Sequence, residues 1–257
     1  MALQGKSLIN YGYEVTAFNK YLPFKPASDV TSLAELTEGY YSLTGICLEI
    51  KRAMEEAYEM GVFDVSANRT VNNNTENRVI IATATQSYFE LLFATGPSYE
   101  NSCASLIGFG VSDYTGGVTY TGASDTGTKL FPAQIGYNYL SPDQNFSQTA
   151  VVSVSTIGTK EAIVWSTQRF YQVEYKYEPQ AAVIVDWEPF LDWATKMKPF
   201  DFTPDYENAP CDVGNVTLER TTADGKGLAF KWREMLPQFP FFYETGQLTM
   251  RVVPTDI

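Results

Sequence analysis

The sequence predicts an α+β, β-rich fold in two parts: a small antiparallel sheet with one packed helix over residues 1–128, then a β-sandwich or barrel-like domain with one short helix over 129–257. Three observations predict it. One long stretch, near residues 43–60, repeats its apolar side chains at helical spacing. Most of the remainder alternates apolar and polar residues in short runs broken by Gly, Pro, Asn and Asp. The chain also carries 17 Tyr, 16 Phe and 4 Trp, residues that favour strands, cores and interfaces.

Residues 11–25 mix β-branched and aromatic side chains and run into Pro23 and Pro26, which suits a strand or two followed by an irregular connection. Glu38 and Gly39 form a turn-like pair before Tyr40 and Tyr41. The helix follows, because Leu43, Ile46, Cys47, Ile50, Met54, Ala57 and Tyr58 recur at spacings of three and four while Glu49, Lys51, Arg52, Glu55, Glu56 and Glu59 fill the other face. Ser42 is placed to cap its start and Gly61 to close its end. VFDVSANRTV, an asparagine turn at Asn72 to Asn74, RVIIATAT and YFELLFATG then read as short strands joined by polar turns. Residues 101–109 read as a short helix stopped by Gly108, and 112–128 as a linker or long exposed loop.

From Lys129 onward QTAVVSVSTIG and AIVWSTQRFYQVEYKYEP alternate as half-exposed sheet. A second helix is predicted at 188–198, with Pro189 in its first turn, Phe190, Leu191, Ala194 and Met197 on one face, Lys196 and Lys198 near the C-terminal end of the dipole, and Pro199 as the stop. The tail closes with three strands, at GNVTLERTT, LAFKWREM and GQLTMRVVP, with an Asp224–Gly225 turn after the first.

Composition excludes much chemistry. With no histidine in 257 residues there is no imidazole base, no Ser-His-Asp or Cys-His arrangement and no His-rich zinc site. The 18 Lys and Arg against 30 Asp and Glu give a net charge of −12, and a pI near 4.5 argues against binding to a phosphate backbone. Cys47, Cys103 and Cys211 are widely spaced and odd in number, so buried thiols are expected rather than disulfides or zinc. At 44% hydrophobic and 19% charged the chain reads as globular and soluble, with no apolar run long enough to span a bilayer. The start, MALQGKSLIN, has no secretory pattern and reads as mature and made in the cytosol.

The best candidates for a ligand lie in the acidic and aromatic stretch Asp186, Trp187, Glu188, Asp192, Trp193, Asp201, Asp205, Tyr206 and Glu207. Paired carboxylates beside aromatic rings suit sugar stacking or glycoside hydrolysis, set against the plainer reading of an amphipathic helix and a solvated acidic turn. Asp201 and Asp205 have a spacing that also suits calcium, but the alternating ligands and central Gly of an EF-hand loop are missing. GFGVSDYTGG has no Gly-Lys-Ser or Gly-Lys-Thr ending and reads as loop punctuation. Phe239, Phe241, Phe242 and Tyr243, around Pro240, read equally as core or as a subunit contact. No cofactor, metal or catalytic residue is expected.

The order of segments resembles the tail structural proteins of tailed bacteriophages. In the N-terminal half the carriers are an opening strand with Asn19 and Phe24 as N-x-x-x-x-F, GYYSLT at 39–44 leading into the helix, YFELLFATG at 88–96, ASLIGF at 104–109 and SDYTGGVTYTG at 112–122. In the C-terminal half they are FLDWATKMKPFDFTPD at 190–205, VTLE at 216–219, FKWREMLPQFP at 230–240 and TGQLTMR at 245–251. The Asn-rich segment from Asn68 to Arg78 departs from the pattern, which has a tight hairpin there, and suggests a solvent-facing or partner-facing extension.

The resemblance implies assembly rather than catalysis: a virion protein of the tail tip, hub, distal tail or adaptor, made in the bacterial host cytoplasm. It further implies a homo-oligomeric ring or trimer that docks other phage tail proteins, with no sequence-specific nucleic acid binding and no membrane span. The alternative is a carbohydrate- or receptor-binding module of a virion fibre, using exposed Trp187, Trp193 and Tyr206.

Overall fold

The computed structural model describes residues 5–27, 30–59, 62–71, 74–122, 133–139, 143–154, 160–175, 178–205, 209, 213–219, 233–236, 239–244 and 246–253. The fold is α+β and β-rich, as the sequence predicts. Two compact units make it up. One comprises Leu8–Ile135 with Pro199–Asp201, and the other Met1–Ser7, Gly136–Lys198 and Phe202–Ile257. The sequence boundary at 128/129 and the turn at Asp224–Gly225 lie outside the described residues, as do Gly61, Tyr206, Glu207 and Cys211.

In chain order the first half holds β1 (Gly5–Tyr11), β2 (Tyr13–Val15), β3 (Tyr21–Pro26), β4 (Ser32–Glu35), β5 (Gly39–Tyr41), α1 (Leu43–Ala57), β6 (Phe63–Val71), β7 (Asn74–Thr83), β8 (Phe89–Leu92), β9 (Asp113–Gly117) and β10 (Thr119–Thr121). They form a four-stranded sheet β4-β3-β8-β9, a three-stranded sheet β10-β7-β6 and the pair β2-β5, while β1 joins a larger sheet. The predicted helix is present. Ser42 is extended, and its hydroxyl accepts from the Gly45 N–H at 3.0 Å, which satisfies one of the open donors of the first turn. Leu43, Ile46, Cys47, Ile50, Ala53 and Met54 form its buried face. Its last residue is Ala57, with Tyr58 as the C-cap.

A chain of rings fills this core. Phe63 meets Phe24 at 5.4 Å and Phe89 at 5.9 Å, and Phe89 meets Tyr120 at 4.9 Å. Tyr120 continues to Tyr114 at 5.8 Å, and Tyr114 to Phe109 at 5.3 Å. All five pairs are edge-to-face, the arrangement the ring quadrupoles favour. Gly96 sits where the backbone passes closest to this layer: a Cβ there would lie 2.5 Å from Pro23 Cβ and 2.7 Å from the Leu92 carbonyl oxygen.

Two local expectations change. The segment 101–109 is not one short helix but two 3-10 turns, Tyr99–Asn101 and Ser105–Ile107. The reason is the tie between them, where the Cys103 N–H donates to the Tyr21 carbonyl at 2.8 Å and binds the segment to β3. Gly108 does end the second turn, at φ 80°. Residues 113–121, expected as loop, are β9 and β10, because Tyr114 and Tyr120 pack against the ring cluster. The Tyr120 hydroxyl also donates to the Phe89 carbonyl at 2.6 Å. The strands expected on either side of the asparagine turn are present as β6 and β7 and pair antiparallel, with Asn68 opposite Arg78 and Val71 opposite Asn74.

The second half holds β11 (Ala133–Tyr139), β12 (Asp143–Val154), β13 (Lys160–Tyr175), β14 (Glu178–Pro179), a helical run from Gln180 to Ala194, β15 (Phe200–Thr203), β16 (Gly214–Leu218), β17 (Arg233–Leu236), β18 (Phe239–Glu244) and β19 (Gly246–Val252). The largest sheet has seven strands in the order β11-β1-β15-β16-β19-β13-β12. Its end strands β11 and β12 are consecutive in sequence, separated by residues 140–142 alone. A smaller sheet has the order β14-β18-β17.

The second helix differs from its expectation. It begins eight residues early, at Gln180, passes through a π-type turn at Val183–Trp187, and ends at Ala194. Pro189 lies in the first turn of its last segment, and Phe190, Leu191 and Ala194 are buried as predicted. Met197 is not on that face. It follows the helix at φ 61° and is exposed.

Candidate functional site

The tryptophans of the acidic and aromatic stretch are core. Trp187 is fully buried, with Tyr175 at 4.8 Å and Phe190 at 5.8 Å. Trp193 is also buried, with the Lys198 ammonium 4.5 Å from its ring centre. The carbohydrate-binding reading required exposed ring faces, and neither indole provides one. The helical period explains this, since Val183, Trp187, Phe190, Leu191 and Ala194 all lie on the inner side once the run starts at Gln180.

The carboxylates of the same stretch have structural partners. Asp192 is exposed and pairs with Lys196 at 2.7 Å, one turn on. Asp201 is fully buried, and its Oδ2 accepts from both the N–H and the hydroxyl of Thr44 at 2.8 Å each. A carboxylate there meets the open N–H groups and the positive end of the α1 dipole. Asp201 thus caps α1, and among the described residues no three His, Cys, Asp or Glu side chains gather as a metal-binding group.

Glu178, which sequence reasoning did not single out, is buried on β14. Burial pushes its pKa up to about 7; the Trp187 indole beside it acts against the shift, and the charge of Asp186 acts with it. A lone Glu before Pro179 carries no sequence signal of burial, because its surroundings come from β18, far along the chain. Cys47 and Cys103 are buried and outside any disulfide, and burial pushes Cys103 up to about 12, well away from the range of a reactive thiolate.

Of the aromatic group near the C-terminus, Phe239, Phe241, Phe242 and Tyr243 lie on β18, the central strand of its sheet, with Phe242 opposite Pro179 and Tyr243 opposite Glu178. Tyr206 lies outside the described residues.

A cleft of about 530 Å³ opens between α1 and the β4–β5 connection, lined by Lys20, Leu36, Glu35, Glu38, Arg52 and Glu56. Its cations are already matched. Lys20 pairs with Glu35 at 2.7 Å and Glu38 at 3.4 Å, and the Glu35 hydrogen bond raises its pKa. Arg52 binds Glu49 through Nε at 2.9 Å and Nη2 at 2.6 Å, and also pairs with Glu56. Burial works to raise the Glu49 pKa, but the Arg52 and Thr37 hydrogen bonds outweigh it and hold the carboxyl below its usual value. Four carboxylates thus surround two cations. The arrangement clamps α1 to the segment before β5, through Arg52 to the Glu35 carbonyl at 3.2 Å, and disfavours anions.

The surface instead offers apolar side chains on well-held backbone. Phe18 is 79% exposed at the tip of the Thr16–Asn19 turn. The Asn19 carboxamide accepts from the Thr16 N–H at 2.7 Å and donates to the Glu14 carbonyl at 3.0 Å, so one side chain closes the turn from both sides. Ile184 and Val185, 53% and 69% exposed, sit in the π-type turn. Sequence reasoning missed all three, although an apolar residue inside a Thr-x-x-Asn turn is a readable signal.

No helix among the described residues is long and apolar enough to cross a membrane. No family model matches the chain, and neither does any curated protein.

Proposed function

We propose that this chain is a non-enzymatic structural component of a bacteriophage tail, acting as a tail-tip, hub or adaptor protein that self-associates into a ring or trimer and docks other virion proteins. On this reading it is made in the bacterial host cytoplasm and resides in the virion. The observation that carries the assembly role is the disposition of its aromatic and acidic residues. Trp187, Trp193 and Asp201 are committed to internal packing and helix capping, while the exposed apolar residues Phe18, Ile184 and Val185 are presented on turns. Rigid β-rich units with apolar anchors on short turns suit docking between protein surfaces. The phage-tail assignment itself is supported by the order of sequence segments, from N-x-x-x-x-F at Asn19 to TGQLTMR at 245–251.

The test is the mass of the purified chain, by sedimentation or native mass spectrometry, over a range of micromolar concentrations. A discrete trimer or ring is expected. A monomer that neither assembles nor co-sediments with tail proteins of a phage encoding it overturns the reading.

A further inference from the structure

We draw no further inference here: the strongest candidate, the acidic cleft between α1 and the β4–β5 connection, carries none because its carboxylates already pair with Lys20 and Arg52 and nothing in the structure shows what occupies it.

Discussion

Asp201 reaches back 157 positions to the first turn of α1, where its carboxylate accepts two hydrogen bonds from Thr44 in a fully buried setting. Charge-assisted bonds of this kind contribute more than neutral ones, and their loss leaves buried donors unmatched. Asp201→Ala is expected to lower unfolding stability by about 1–3 kcal/mol in urea titration, and Thr44→Val, which removes one of the two donors, by less. Glu178 makes the opposite kind of contribution. Its folded pKa, about 7, lies above the usual glutamate value of 4.5, so the folded state holds its proton more tightly than the unfolded chain does. The stability this gives is full below pH 4.5 and is lost as pH rises through about 7. Melting temperatures at pH 5 and pH 8 are expected to differ in favour of pH 5. Glu178→Gln should remove a part of that difference worth on the order of 2 kcal/mol; an unchanged difference would show that other groups govern the pH dependence. Neither residue's role is readable locally, since each depends on a partner brought in from a distant segment.

Elements with a strong local pattern were legible. α1 has a 15-residue amphipathic repeat and a serine cap, and it forms where its repeat places it. The second helix shows where such reading stops. Gln180–Val185 carries exposed Ile184 and Val185 and so breaks the amphipathic pattern, yet the π-type turn shifts the phase and keeps Trp187 inside. That shift is invisible to a fixed 3.6-residue period. The same run ends on Met197 at φ 61°, in the left-handed region, while its N–H donates to the Ala194 carbonyl at 3.0 Å. Glycine adopts that conformation without Cβ strain, so Met197→Gly is expected to raise stability by about 0.5–1 kcal/mol in thermal unfolding. A loss instead would mean that the Met197 side chain packs favourably enough to outweigh the strain.

For the whole molecule the net charge of −12 governs what the surface rejects. If copies assemble around the DNA channel of a tail, an acidic lumen repels phosphate and lets the genome slide. The purified protein is accordingly expected not to retard duplex DNA in a gel at about 0.15 M salt; retention under those conditions would sink the acidic-lumen idea.

Fold class, the main helix with its cap, the burial of Cys47 and Cys103 and the exclusion of imidazole chemistry all follow from the order and kind of residues, because each depends on composition or on neighbours within one or two turns. The folded chain alone sets the rest. Trp187 and Trp193 look like ligand-binding residues until packing against Tyr175, Phe190 and Lys198 takes them out of solvent. Tyr114 and Tyr120 look like part of a glycine-rich loop until Phe89 and Phe109 give them a cluster to join. Burial, capping and strand register are relations between residues far apart in the chain, and local sequence constrains them weakly.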